Sequence, residues 1–185
     1  MQNKNSKLNK KLKALSYKLK ASRGFTLVET LVAITVLLLA VTGPLTIAAR
    51  SLNSANFSQD QITAFYLAQE GVEAIRNIRD KNAITGQSWL SGLENCQSGS
   101  SCTIDSTDNS VNLCSGACPK IKYNSSSGLY GYNAGWSDSK FTRTIQISET
   151  SSAEAVLTVT ISWQSGNINR QFTVNENVLN WQQGE

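Results

Sequence analysis

The chain has 185 residues, with 17 Lys+Arg, 13 Asp+Glu, four Cys and no His, and a formal net charge of +4. That length holds one modest domain and an appendage rather than two full domains. The lack of His excludes His-based triads, His metal ligands and the usual neutral-pH proton shuttle.

The positive charge is local. Lys4, Lys7, Lys10, Lys11, Lys13, Lys18, Lys20 and Arg23 lie in the first 24 positions with no acid among them, which leaves nine basic against 13 acidic residues from Phe25 onward. Within this leader Leu8, Leu12, Leu15 and Leu19 recur at spacings of four, three and four, one stripe of a helix with Lys on its other faces. The expectation is a basic amphipathic helix lying on a membrane surface.

Residues 25–49 form an apolar run with one ionisable side chain, Glu29. As a helix it would reach roughly 37 Å, enough to cross a bilayer core. The basic block before it places the N-terminus in the cytoplasm and everything after Arg50 outside. A secretory signal, with 47–49 as a small-residue cleavage site, competes with this reading. The apolar run is long for a signal, however, and a carboxylate early in a span needs a partner or a role.

The residues Gly24-Phe25-Thr26-Leu27-Val28-Glu29 resemble the processing signature of the type IV pilin-like family, which includes major pilins, minor pilins and pseudopilins. A basic leader ending in Gly, then Phe, short apolar or hydroxylated residues, Glu and a long apolar helix appear in order and in register. The resemblance implies that a prepilin peptidase/methyltransferase cuts between Gly24 and Phe25 and N-methylates Phe25. It implies also that Glu29 meets the N-terminal amine of a neighbouring subunit in a filament. Gly24 suits a bond that an enzyme must approach closely. Glu29 suits pairing because an isolated ion in an apolar bundle is costly, whereas a paired one is tolerated and fixes register.

Gly43-Pro44 interrupts the apolar run, where a kink or local melting is expected. Helical character resumes to about Asp80. Phe65, Ala68, Val72 and Ile75 keep one face apolar with Ile62 and Ile78 beside it, so that residues 50–80 form an amphipathic half ready to pack on a sheet. Residues 67–80 are similar in character and position to the corresponding helix of minor pilins.

Residues 86–139 are rich in Ser, Gly, Asn and Asp, a loop-rich stretch with short strands expected near Cys102 and Ile121. It holds Cys96, Cys102, Cys114 and Cys118. Outside the cytoplasm these are disulfide candidates, either nested (Cys96 with Cys118, Cys102 with Cys114) or local (Cys96 with Cys102, Cys114 with Cys118). Their spacing is not that of a common zinc site. Asp105, Asp108, Asn109 and Asn112 lack EF-hand spacing and read as a solvated turn. The aromatics of residues 130–136 are expected to fold back on the sheet, the alternative being contact with a host surface, a glycan or a neighbouring subunit.

Strict alternation marks the last third. Phe141, Ile145 and Ile147 share one parity, and Ala155, Leu157, Val159, Ile161 and Trp163 another strand's apolar face. Ser165-Gly166-Asn167 turns the chain into a third strand with Phe172 and Val174. Val178, Leu179 and Trp181 are expected to seal the edge of this meander over residues 140–181.

The expected fold is α+β, a long N-terminal helix (transmembrane, then amphipathic) packed on a C-terminal antiparallel sheet, which is the pilin-like layout. Its parts are the cleaved leader 1–24, the polymerisation helix 25–49, the amphipathic half 50–80 and an extracytoplasmic head 81–185. The expected function is a structural subunit of a type IV pilus-like filament, preferably a minor pilin. The rivals are a pseudopilin of a type II secretion or DNA-uptake system and a permanently anchored extracytoplasmic binding protein. No catalytic residue, cofactor or metal is expected. Expected partners are the peptidase, other pilin subunits, an inner-membrane assembly platform and membrane lipid, with no nucleic acid. The precursor belongs in the bacterial inner membrane and the processed chain in an extracytoplasmic pilus or pseudopilus.

Overall fold

A computed structural model describes residues 24–181, so the leader's leucine stripe lies outside the described residues. The fold is α+β: one long helix followed by an antiparallel sheet. The chain divides into two compact units, Met1–Leu52 and Asn53–Glu185.

Helix α1 spans Leu27–Ile84 and runs through Pro44 without the expected melting. Pro44 removes a single N–H from the ladder, and hydroxyls nearby fold back on the backbone. Thr42 Oγ1 donates to the Leu38 carbonyl and Thr46 Oγ1 to the Gly43 carbonyl, at 2.8 and 2.7 Å. The helix ends four residues later than expected. The Gln87 N–H bonds the Asn82 carbonyl and the Gly86 N–H the Ala83 carbonyl, with Gly86 at φ +70°. This is a Schellman stop, in which the missing Cβ makes the left-handed turn accessible.

Within the first unit, the apolar side chains of α1 are exposed all round. Within the second unit the helix buries Ala64, Leu67, Ala68, Gly71, Val72, Ala74 and Ile75. Of the expected stripe Ala68, Val72 and Ile75 are buried, while Phe65 stands at its margin, 42% exposed. Small residues face the strands because the approach is close. A Cβ on Gly71 would stand 3.1 Å from Arg143 Cδ and 3.3 Å from Val159 Cγ1.

The sheet has seven antiparallel strands: β1 Cys102–Ile104, β2 Val111–Leu113, β3 Lys120–Tyr123, β4 Tyr130–Gly131, β5 Ser137–Glu149, β6 Glu154–Ser165 and β7 Ile168–Leu179. β5 is central. It pairs with β6 along one side; on the other, β3 takes its first half and β1 its second. β2 extends β1, β4 extends β3, and β7 extends β6. Phe141, Ile145 and Ile147 with Ala155, Leu157, Val159, Ile161 and Trp163 form the buried face against the helix. Trp89, Leu90 and Leu93, from the loop after the helix, complete the core. At the end of β7 only Val178 is buried, while Leu179 and Trp181 stay more than half exposed. The Trp181 Nε1–H instead reaches Asp80 Oδ1 at 3.4 Å, an acid held below its usual pKa first by the Arg79 hydrogen bond.

Candidate functional site

The signature residues meet at the start of α1. Gly24 and Phe25 are exposed and non-helical, and Phe25 is 75% exposed. Thr26 is the N-cap. Its carbonyl accepts the Thr30 N–H at 3.1 Å and its Oγ1 accepts the Glu29 N–H at 3.2 Å. The first of these is the opening bond of the helical ladder; the second satisfies one of the first-turn donors that would otherwise be unpaired. The Gly24–Phe25 bond therefore lies outside the helical ladder and is exposed.

Glu29 falls at the third helical position, where the positive end of the helix dipole favours a carboxylate. It takes part in no ion pair among the described residues. The signal for this geometry is in the sequence: Thr-x-x-Glu ahead of an apolar run is the pattern of a capping box. Thr26 is the functional residue that the family motif alone does not single out.

The cysteines sit elsewhere, in the head. Cys96 pairs with Cys102 and Cys114 with Cys118, the local of the two pairings. Cys96 and Cys102 are fully buried, whereas Cys114 and Cys118 are half-buried around an exposed loop. The acidic loop differs from a solvated turn. Asp105 is buried, and its carboxylate accepts the Thr107 N–H and hydroxyl and the Tyr132 N–H. Asp108 remains at the surface, capping the Ser110 N–H at 2.8 Å. Among the described residues no group of acids and cysteines could hold a metal.

Arg143, a charge on the inward parity of β5, is fully buried. Its Nη1 donates to the Leu67 carbonyl at 3.0 Å and lies 3.4 Å from Glu70 Oε1, and its Nη2 donates to the Ile104 carbonyl at 2.5 Å. The Ser106 hydroxyl also bonds Glu70. One side chain thus ties the helix, β5 and the cysteine-bearing loop together. Tyr132 lies beside it, and burial pushes its phenol pKa up. Asp60, buried on the helix, pairs with Lys140. These contacts shape the head; none brings a nucleophile to a base.

A family model described as the prokaryotic N-terminal methylation motif matches residues 19–43. No curated protein and no solved structure matches the chain significantly. The motif supports a pilin- or pseudopilin-like precursor and indicates a structural subunit rather than an enzyme. It implies processing by prepilin peptidase and assembly with other pilin subunits. The helix that follows is long and apolar enough to cross a membrane near the N-terminus, which fits an inner-membrane-anchored precursor. The chain thus carries a prokaryotic N-terminal methylation motif at the head of a long apolar helix, followed by a C-terminal antiparallel sheet, an arrangement that fits a type IV pilin-like fold.

Proposed function

We propose that the chain is a filament subunit, made as a membrane-anchored precursor, cut after Gly24, N-methylated on Phe25 and polymerised through residues 25–49. The observation that carries this reading is Glu29. It is the one acid on an apolar helical surface, placed in the first turn, without an ion-pair partner among the described residues.

Cleavage hydrolyses the Gly24–Phe25 amide. Gly24 leaves as a carboxylate with the leader, and Phe25 gains an amine. That cationic amine sits at the positive end of its own helix, an unfavourable placement. A carboxylate from a neighbouring copy relieves it and at the same time satisfies Glu29's need for a partner in apolar surroundings. Removal of the leader also takes eight positive charges from the chain, so the processed subunit is acidic.

Mass spectrometry and N-terminal sequencing of the chain from its native membrane test the processing step. A chain beginning at methylated Phe25 is the expected result; an intact Met1 on surface-assembled material refutes it. Assembly is tested separately by Glu29→Ala, expected to insert in the membrane normally and to be depleted from sheared filaments.

A further inference from the structure

β7 is the long open edge of the sheet, the other terminal strands β2 and β4 being two or three residues: among the described residues it pairs with β6 and with no other strand. Its even-numbered side chains face the helix. The Arg170 guanidinium lies 5.0 Å from the Phe57 ring centroid, Phe172 stacks edge-on to Phe65 at 5.8 Å, and Glu176 accepts from Arg76 Nε at 2.7 Å. Its odd-numbered side chains form the opposite, uncharged face, where Thr173 meets Thr160 and Asn175 meets Thr158. Above the strand, on the helix side, lies an open groove of about 560 Å³ with Phe65, Tyr66, Gln69, Glu73 and Val174 among its lining residues. Tyr66 is 63% and nearby Ile62 56% exposed. The groove has a floor and one wall, and its far side is open.

We propose that this edge pairs with β7 of a second copy, antiparallel and centred on Thr173, to make one continuous sheet. An unpaired edge of twelve residues offers a template for another strand. Edge strands are commonly protected by charges pointing inward, and Arg170 and Glu176 are such charges. Here they have opposite signs and lie symmetrically about Thr173, so self-pairing in that register sets each Arg170 against the other copy's Glu176. It also sets Phe172 against Val174 and Ile168 against Val178, apolar against apolar.

Neighbouring registers lose this match. A shift of two residues in either direction sets Arg170 against Val174 or Val178 and Glu176 against Ile168 or Phe172. A shift of one turns one copy's helix-facing side chains onto the other copy's outer face. The contact is isologous, closed by a two-fold axis, and the second copy supplies the missing wall of the groove, covering Phe65 and Tyr66.

The helix contacts also give the sense of the pair. Phe57, Phe65, Arg76 and Asp80 meet Arg170, Phe172, Glu176 and Trp181 in that order, so the helix and β7 run the same way. The two head helices are therefore antiparallel in the pair. Resting on the filament reading, this makes the contact one between filaments lying side by side and not one between successive subunits of a filament.

Site-directed cross-linking tests the register directly. The full chain is purified in detergent micelles as Thr173→Cys, Gln171→Cys or Asn175→Cys, and oxidised mildly or treated with a short bismaleimide. In the proposed register Thr173 faces its own copy, whereas Gln171 faces Asn175. The expected result is a covalent dimer from Thr173→Cys at least ten times more abundant than from either flanking variant alone. An equimolar mixture of the flanking variants restores the dimer, and adding Arg170→Glu to Thr173→Cys suppresses it. Equal yields at all three positions, or no dimer from chain that retains its native circular dichroism, overturns the proposal. The readout needs neither leader cleavage nor filament formation, so a failure of the filament reading leaves it intact.

Discussion

Arg143→Ala provides the sharpest test of how the head is held together. The substitution removes two hydrogen bonds from a charged donor to backbone carbonyls, those of Leu67 and Ile104, each contributing about 1.5–3 kcal/mol. It strands Glu70, which is only about one-third exposed and keeps Ser106 as a partner. It also empties the space of a guanidinium and its stem; at about 24 cal/mol per Å³, an unfilled void of about 100 Å³ adds roughly 2 kcal/mol. Against these losses stands the desolvation of the guanidinium in the folded state, a cost of several kcal/mol that the variant escapes. The expected net destabilisation is about 3–5 kcal/mol, in the range for breaking a buried ion pair.

Urea unfolding of the full chain in detergent, followed by tryptophan fluorescence, measures this, because Trp89 and Trp163 are both buried in the affected core. Arg143→Met separates volume from hydrogen bonding. It refills most of the void but leaves the Leu67 and Ile104 carbonyls without their donor, so it should recover only the roughly 2 kcal/mol of the void. Arg143→Lys keeps the charge but not the planar fork that reaches two carbonyls, and should fall between the two. A loss below about 1 kcal/mol for Arg143→Ala would refute the reasoning that this side chain joins three elements.

Three further outcomes are expected. Thr26→Ala removes the N-cap acceptor and should weaken the first turn by about 1 kcal/mol, fraying the helix around Glu29; Thr26→Ser should restore it, as read by hydrogen exchange at the Glu29 amide. Under graded reductant the half-buried Cys114–Cys118 bridge should open before the buried Cys96–Cys102 bridge in mass-resolved thiol labelling; replacing either bridge by serines should lower stability by about 2 kcal/mol, since both loops are short. Burial raises the Tyr132 phenol pKa, so above the ordinary tyrosine pKa of about 10 the folded chain holds more protons than the unfolded one. The stabilisation is complete below that pKa and fades as pH climbs through the folded-state value, and Tyr132→Phe should remove one of the components that titrate above the ordinary tyrosine range in an ultraviolet phenolate titration.

The long strands were legible because each carries a local, period-two signal. Phe141 to Ile147 and Ala155 to Trp163 alternate as written, and the register of β5 with β6 is continuous from Phe141↔Trp163 to Glu149↔Ala155. Arg143 occupies the inward parity of β5, yet nothing near it in sequence shows what it bonds. Its partners are Leu67, Glu70 and Ile104, between 39 and 76 residues away. The same distance effect hides β2 and β4, whose two or three residues pair only because β1 and β3 are already held against β5. The helix stripe was legible at Ala68, Val72 and Ile75, but periodicity weights large side chains and passes over Ala64, Gly71 and Ala74, which close packing placed against the sheet. Thr26, by contrast, was readable from Thr-x-x-Glu, because a cap is a local bond.

Helix α1 carries two surfaces that ask for different cover. From Asn53 onward its small residues are satisfied by the chain's own sheet, so folding of the head completes that half. From Leu27 to Leu52 the helix is apolar on every face and exposed on every face, and cover must come from lipid or from other copies. Exchange of one for the other brings little hydrophobic gain, because lipid tails are as apolar as leucine side chains. Apolar area therefore does not choose between the membrane and an assembly. In the proposed filament the polar residue does: Glu29 has no good partner among lipid tails and would gain one from a cleaved neighbour's amine. Processing would work in the same direction, since until the leader is removed the Phe25 nitrogen is an uncharged amide and offers Glu29 no charge at the helix start. In this scheme cleavage does more than trim the chain, because it creates the charge that makes assembly preferable to remaining in the membrane.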